Sequence, residues 1–276
     1  MTAVPSRLSA VLDRVAPAPL AVKVPAITAM FWVIKVLGTG TGEAASDFLA
    51  GRDQVLAAGV GLLGLVLGLG VQFRARRYVP WAYWLAVSMV AVFGTMAADA
   101  VHVVLGVPYP VTSVGYALAV AAVFGVWYRC EGTLDIHGIT TRRRETFYWA
   151  AVLVTFALGT AVGDLSAFTL GLGFLSSALG YAALMAVPAA AAWLRVSPVL
   201  TFWTAYVLTR PLGASVADWI GKPADRTGLG AGDGVVTLIG AALIAALVGW
   251  VTLAGTRALP APALDDADHA GDRVPL

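Results

Sequence analysis

Residues 32–47, WVIKVLGTGTGEAASD, carry a pattern that decides the fold, because it returns three more times along the chain. The pattern is W-x9-G-x4-D: a tryptophan, a glycine ten residues later and an aspartate after five more. The other copies are WLAVSMVAVFGTMAAD at 84–99, WAAVLVTFALGTAVGD at 149–164 and WTAYVLTRPLGASVAD at 203–218. Three residue types at fixed offsets in four segments indicate an internal repeat, so the sequence predicts four equivalent structural units.

The offsets have a physical meaning if each segment is a membrane helix. Fifteen residues of helix rise about 22 Å, which places the tryptophan and the aspartate near opposite ends of a membrane-spanning segment. Tryptophan is enriched at membrane interfaces, and glycine lets a neighbouring helix approach closely. We therefore assign interface and packing roles to the repeated Trp32, Trp84, Trp149 and Trp203 and to Gly42, Gly94, Gly159 and Gly213.

The composition of the chain is that of a membrane protein. Of its 276 residues, 59% are apolar and only 12% are charged, which is too few charges for the surface of a soluble domain. The apolar runs are continuous, which predicts helices and argues against the alternating strands of a membrane β-barrel. The single cysteine, Cys130, excludes an internal disulfide and a cysteine-based metal site. We expect the lipid bilayer as a partner and no nucleic acid.

The sequence predicts an all-α integral membrane protein in which eight transmembrane helices form four parallel helical hairpins. The predicted spans are 25–48, 54–73, 80–104, 111–129, 147–166, 170–193, 198–220 and 233–254. A hydrophilic linker, 131–146, separates a first transmembrane half, 25–130, from a second half, 147–254. An N-terminal segment, 1–24, precedes the halves, and an acidic, proline-rich tail, 255–276, follows them and is predicted to be disordered.

The basic residues predict an orientation in the membrane. Two clusters, Arg74, Arg76 and Arg77 and then Arg142, Arg143 and Arg144, lie in connections on the same side as both termini. The opposite connections hold only Arg52, Lys222 and Arg226. By the positive-inside rule, both termini and the linker face the cytoplasm.

The four units differ in their charged residues. In the first span Lys35, Glu43 and Asp47 share one helical face, and the seventh span carries Arg210 and Asp218. Exposing such charges to lipid costs at least about 2.5–3.5 kcal/mol each, so these faces are expected to point into the protein. We predict a cross-bundle ion pair of Arg210 with Glu43 or Asp47.

Acidic residues outnumber basic residues in the predicted spans. The candidate ion- or proton-binding residues are Glu43, Asp47, Asp99, Asp164 and Asp218, and their candidate charge partners are Lys35 and Arg210. An excess of buried carboxylates must be protonated, hydrated or neutralised by a bound cation. Oxygen ligands suit hard divalent cations, and His102 offers a nitrogen ligand for a softer metal. The alternative is structural, with each aspartate capping a helix end and each basic residue only balancing charge.

The first functional hypothesis is therefore a small transporter or exporter of a cation, either a divalent metal or a proton-coupled ion. It needs no catalytic residue and no cofactor other than a bound cation. The alternative is a non-transporting membrane scaffold or sensor that uses the linker and the tail as contact surfaces. A third hypothesis, an intramembrane enzyme, has less support, because GAGD at 230–233 lacks the tyrosine–aspartate partner of intramembrane aspartyl proteases.

Three longer stretches resemble a bacterial family of uncharacterised membrane-anchored proteins built from a repeat of unknown function. They are KVPAITAMFWVIKVLGTGTGEAASDFL at 23–49, LDIHGITTRRRETFYWAAVLVTFALGTAVGDL at 134–165 and FWTAYVLTRPLGASVADWIGKP at 202–223. The resemblance covers most of residues 23–254. It implies a fourfold transmembrane repeat in a bacterial cytoplasmic (inner) membrane, and it implies no particular activity or substrate.

Overall fold

Helices form all the regular structure of residues 22–257, the part of the chain that the computed structural model describes. The α-helices are α1 Ala29–Ala50, α2 Gln54–Arg74, α3 Pro80–Asp99, α4 Tyr109–Glu131, α5 Arg142–Asp164, α6 Gly173–Leu184, α7 Ala186–Trp193, α8 Pro198–Gly221 and α9 Asp233–Arg257. Only Met185 separates α6 from α7, and the two together cover 21 residues. The described residues thus contain one helical rod for each predicted span.

Six of these rods are long and apolar enough to cross a membrane, as in a multi-pass membrane protein. The six are α2, α3 with the turn after it, α4, α5 with the turn after it, α6 with α7, and α9. The rods α1 and α8 are not among them, although they contain 22 and 24 residues. Charged and polar residues lower the hydropathy of these two helices, among them Glu43 in α1 and Arg210 in α8.

Side-chain caps and proline fix where several helices begin. The side chains of Thr28, Asp53 and Thr141 accept hydrogen bonds from the first backbone N–H groups of α1, α2 and α5. Pro80 and Pro198 occupy the first turns of α3 and α8, where a missing N–H costs nothing. Local sequence signals therefore set these boundaries.

The predicted boundaries need three corrections. Helix α1 begins at Ala29, four residues after the predicted start, and α5 begins at Arg142, inside the predicted linker. The cap at Thr141 explains the second difference, because it lets the arginine-rich segment continue as helix. Helix α9 continues to Arg257, which is past the predicted start of the tail at 255. The predictions for residues 1–21 and 258–276 lie outside the described residues.

The four helices that carry the W-x9-G-x4-D pattern, α1, α3, α5 and α8, form the centre of the bundle. We call them the motif helices. Each packs against two others, in the cyclic order α1, α3, α5, α8 and back to α1. The remaining helices lie outside this centre: α2 packs on α3, α4 on α5, α6 on α8 and α9 on α1. Each outer helix therefore packs mainly against the motif helix of the next hairpin, and α9 closes the circle.

The repeated glycines explain how closely the motif helices approach one another. A Cβ atom built at Gly94 would lie 2.8 Å from the Cβ of Phe156 on the next motif helix. The same atom at Gly42, Gly159 or Gly213 would be closer still to its neighbour, which is Ala91, Arg210 or Thr39 respectively. Each of these neighbours lies seven residues after the tryptophan of its own motif. Adjacent motif helices therefore contact each other at the same pair of motif positions.

Polar and apolar side chains are distributed in this bundle in the opposite way to those of a soluble protein. Leu63 on α2 and Leu238 on α9 are 59% and 73% exposed, whereas Glu43 is 3% and Arg210 is 1% exposed. Large apolar side chains cover the outside of the outer helices, whereas Lys35, Glu43, Arg210 and Asp218 of the motif helices are buried. A hydrocarbon environment accounts for this arrangement, because lipid rewards apolar surface and penalises exposed charge.

Candidate functional site

Equivalent positions of the four motif helices meet in layers along the bundle axis. The layers recur every four residues, about one helical turn, because residues four apart share a face. Eleven residues after each tryptophan the layer holds Glu43, Thr95, Thr160 and Ala214. Four residues further on, the aspartate layer holds Asp47, Asp99, Asp164 and Asp218. We call the end of the bundle beyond the aspartate layer the aspartate end and the opposite one the tryptophan end.

A buried ion pair lies at the centre of the bundle, one turn before the aspartate layer. Arg210 Nη2 donates to Glu43 Oε2 over 2.5 Å, and the two side chains are 1% and 4% exposed. Thr95 donates to the same carboxylate oxygen over 2.9 Å. Arg210 Nη2 also donates to the hydroxyls of Thr95 and Thr160, and its Nη1 donates to the Thr39 carbonyl over 3.3 Å. The predicted pair of Arg210 with Glu43 is thus present, and we call it, with Thr95 and Thr160, the Arg210 network.

Lys35 lies on the same axis, about two helical turns nearer the tryptophan end than Glu43. It is not paired with a carboxylate among the described residues. Its Nζ atom is buried and has no hydrogen-bond partner among the described residues. It lies 4.3 Å from the ring centre of Phe156 and 4.2 Å from that of Tyr206. The faces of two aromatic rings, rather than an acid, therefore surround this amine.

The aspartate layer contains more acid than the nearby basic residues can balance. Asp47 is half-buried and pairs with Lys222 over 2.6 Å. Asp99 and Asp164 are also half-buried and Asp218 is buried, and none of the three forms an ion pair with a lysine or arginine among residues 22–257. Asp99 interacts electrostatically with Asp47, Asp164 and Glu43. Carboxylate oxygens of Glu43, Asp47 and Asp218 lie within 4.8 Å of one another, close enough to share one metal ion.

Lys222 follows the last residue of α8 and is a basic side chain that reaches this layer. Its ammonium contacts Asp47 and also Asp233, the latter over 3.0 Å. Burial by itself lowers the pKa of Lys222, but Asp47 and Asp218 outweigh burial and raise that pKa above its usual range. Lys222 is therefore held as a cation at the aspartate end.

Two of the motif helices end in a wider turn immediately after their aspartates. One π-helical turn, Ala100–Val104, follows Asp99 and another, Leu165–Thr169, follows Asp164. Tyr116 and Tyr181 on the outer helices donate to the carbonyls of Ala97 and Val162, over 3.3 and 3.0 Å. Such turns interrupt the regular hydrogen bonding of a helix and occur often at functional sites.

His102 does not join the acidic side chains. It lies in the π-helical turn after Asp99, and its Nδ1 makes a hydrogen bond of 2.8 Å with the carbonyl oxygen of Val107. Its ring stacks on that of Tyr109, with ring centres 3.7 Å apart. Within the described residues, His102 is not part of the acidic group that could share a metal ion. These contacts give His102 a structural position.

Three of the repeated tryptophans lie inside the protein. Trp84, Trp149 and Trp203 are 3–5% exposed and pack with Tyr83 and Tyr148 in an aromatic cluster at the tryptophan end. The linker covers this end of the bundle: Trp203 Nε1 donates to the Leu134 carbonyl over 3.0 Å. Trp32 is half-buried and lines a cavity of about 630 Å³ between α1, α7, α8 and the linker.

A second buried ion pair was not predicted from the sequence. Lys23 Nζ donates to Glu145 Oε2 over 2.5 Å, and both side chains are 1% exposed. Gln72 donates to the other oxygen of Glu145 over 3.3 Å. Burial lowers the pKa of Lys23, although Glu145 opposes that shift. The pair ties the segment before α1 to the start of α5 and helps to close the tryptophan end.

Sequence reasoning also missed Thr95, Thr160 and Lys222. The two threonines were detectable, because both lie eleven residues after a repeated tryptophan, the position that Glu43 occupies in the first motif. Lys222 gave no comparable signal, because it lies in a connection where no periodic pattern predicts its neighbours.

One protein family matches the chain. A family model described as Repeat of Unknown Function (DUF347) matches residues 82–133, 147–197 and 201–256, together more than half of the chain. The three matches correspond to the hairpins that begin with α3, α5 and α8, and the hairpin of α1 and α2 lies outside them. No curated protein and no solved structure matches the chain. The predicted resemblance to an uncharacterised repeat family is thus confirmed, and the chain belongs to the DUF347 repeat family, whose function is unknown.

Proposed function

We propose that this protein is a polytopic membrane transporter of a cation and that the aspartate layer is where the cation enters or leaves the bundle axis. One observation carries the proposal: Asp99, Asp164 and Asp218 lie together at one end of the axis without a basic partner among the described residues. A carboxylate shielded from water is costly unless it is protonated, paired or bound to a cation. Handling of protons or metal ions meets that requirement.

The proposal includes eight transmembrane helices in four parallel hairpins. The helices α1 and α8 are surrounded by other helices, and Glu43 and Arg210 on them face the axis rather than the outside. Charged residues inside a membrane protein are tolerated where they face the interior and pair with one another. Low hydropathy in α1 and α8 is therefore compatible with a position across the membrane.

The charge distribution supports one orientation. The arginine clusters at 74–77 and 142–144 lie at the tryptophan end, together with the linker. This end would face the cytoplasm of a bacterium, and the aspartate end would face the outside of the inner membrane. The carboxylates would then meet cations that arrive from outside or release cations that leave the cell.

Both ends of the axis have side chains that would have to move during transport. The Arg210 network closes the axis below the aspartate layer, and the aromatic cluster with the Lys23–Glu145 pair closes the tryptophan end. In transporters built from repeats, one side opens while the other stays closed. Glu43 and Arg210 would separate when the aspartate side opens, and Lys23 and Glu145 when the opposite side opens.

Ion flux into proteoliposomes tests the proposal. Wild-type protein should carry at least one ion of a panel of H⁺, Mg²⁺, Mn²⁺ and Ca²⁺, and Asp99→Asn or Asp164→Asn should lose most of that flux without losing membrane insertion. Asp225→Asn is the matched control, because Asp225 is exposed in a turn at the same end and belongs to no layer. Full flux in Asp99→Asn and Asp164→Asn would reject the proposal and favour the scaffold hypothesis.

A further inference from the structure

Three carboxylates near the aspartate end each keep an oxygen that no described residue binds. All hydrogen bonds that Glu43 accepts go to Oε2, and Asp47 accepts its bond from Lys222 through Oδ2. Asp218 is buried, with an exposed fraction of 5%. Its Oδ1 has no hydrogen-bond partner among residues 22–257. A buried carboxylate oxygen without a donor is costly, so the unpartnered Oδ1 of Asp218 favours a bound ligand at this place.

The spacing of these oxygens is compatible with one shared metal ion. One oxygen from each of Glu43, Asp47 and Asp218 lies within 4.8 Å of the other two. Two oxygens bound to one Ca²⁺ ion can be up to about 4.8 Å apart, and two bound to one Mg²⁺ ion up to about 4.2 Å, so this limit admits either ion. The donors are all carboxylate oxygens, which favour hard cations over soft ones.

The charges near these oxygens point to a divalent ion. Three carboxylates opposed by Arg210 leave two negative charges, which one divalent ion neutralises completely. Lys222 neutralises only one of them, through its contact with Asp47. Its second contact, with Asp233, gives its ammonium another acid to bind when it leaves Asp47.

The position of Lys222 allows such a movement. Its backbone N–H still bonds to the Asp218 carbonyl over 2.8 Å, but its side chain extends from the end of α8 and is 15% exposed. The side chain can therefore move away from Asp47 and stay beside Asp233 while the helix stays intact.

We propose that Glu43, Asp47 and Asp218 form a binding site for a hard divalent cation, and that the Lys222 ammonium competes with that cation for Asp47. In the absence of the ion, the Lys222 ammonium occupies Asp47. When the ion binds, Lys222 releases Asp47 and keeps its contact with Asp233. The inference rests on the proposed function for its place in the molecule, but it concerns binding and can be tested without transport.

Calorimetric titration of the full chain in detergent with Ca²⁺, and with Mg²⁺ for comparison, tests the inference. Lys222→Met should bind Ca²⁺ about tenfold more tightly than wild type if the wild-type site is free of lysine about a tenth of the time. Lys222→Arg keeps the competitor and should bind like wild type. Arg226→Met removes a charge from the same connection, where Arg226 is exposed, and should also leave binding unchanged. Asp218→Asn should weaken Ca²⁺ binding at least tenfold.

Several results would overturn the inference. Folded Lys222→Met protein that binds Ca²⁺ no more tightly than wild type would reject the competitor, and unchanged binding in Asp218→Asn would reject the site. Binding that ignores Lys222, together with ion flux lost in Asp99→Asn, would reject this inference but keep the proposed function. If the variants bind Ca²⁺ with the affinities expected above but the protein carries no ion of the panel, the binding site stands and the transport function is rejected.

Discussion

Arg210 and Glu43 show how single residues give this pseudo-symmetric bundle its asymmetry. At the position of Glu43 the other motif helices carry Thr95, Thr160 and Ala214, so only the first helix places an acid there. The backbone of Arg210 lies one helical turn nearer the tryptophan end than Glu43. The Arg210 side chain passes through the space that Gly159 leaves and reaches Glu43. Their pairing could be predicted from sequence because both residues follow the repeat register. The two threonines that complete the network share that register, but only the structure shows them donating to or accepting from the pair.

The first prediction concerns this pair. Arg210→Met should destabilise the protein by about 3–5 kcal/mol, because it leaves the carboxylate of Glu43 buried without its partner. For a chain of this size, that loss lowers the melting temperature on the order of 10 °C. The double variant Glu43→Gln with Arg210→Met should recover most of it, since neither position then carries an unpaired buried charge. Thermal unfolding in detergent measures both, and a double variant no more stable than Arg210→Met would contradict the account.

At the scale of elements, the repeated glycine fixes the distance between motif helices. Its effect is testable, because the chain offers glycines with and without a close neighbour. Gly94→Ala should destabilise the protein by about 1–3 kcal/mol, since its new Cβ would meet Phe156 at 2.8 Å. Gly115→Ala on α4 is the matched control: nothing lies within 4 Å of its Cβ, so it should be neutral or slightly stabilising. Equal melting temperatures for the two variants would show that close helix approach is not what the motif glycine provides.

The sequence predicted where the helices lie along the chain much better than which helices pack against one another. The apolar runs behind Asp53 and Asp233 gave the starts of α2 and α9 correctly, because each run begins beside an acidic residue suited to a helix start. Periodicity within a helix reports which face is buried but not which helix buries it. The packing of α4 on α5, rather than on its hairpin partner α3, was therefore not predictable from the pattern alone. The π-helical turns after Asp99 and Asp164 also had no recognisable sequence signal.

At the scale of the whole molecule, the circular order of the helices brings the last described helix against the first. Helix α9 packs on α1, so the last hairpin covers the first motif helix, and the hairpin outside the family match is held in the same circle as the others. This closure leaves α1 and α8 as neighbours, and their charged residues meet at the Arg210 network. If α8 did not cross the membrane, Arg210 and Asp218 would lie at a different depth in the bilayer. The number of spans is therefore linked to the function of the site.

The single cysteine allows a direct test of that number. Cys130 is exposed at the end of α4, at the tryptophan end, and Arg226 is exposed in the turn after α8. Three rods lie between the two positions: α5, α6 with α7, and α8. With eight spans the positions face opposite sides of the membrane, whereas without a crossing by α8 they face the same side.

A membrane-impermeant maleimide distinguishes these two topologies in intact spheroplasts and in inverted vesicles. The natural Cys130 should react only in inverted vesicles, because the positive-inside rule places the tryptophan end in the cytoplasm. A variant with Cys130→Ser and Arg226→Cys should react in intact spheroplasts. Reaction of both cysteines from the same side would remove α8 from the membrane and, with it, the position of Asp218 in an intramembrane cation site. Reaction of each from the side opposite to that expected would keep eight spans and reverse the direction from which a cation reaches the aspartate layer.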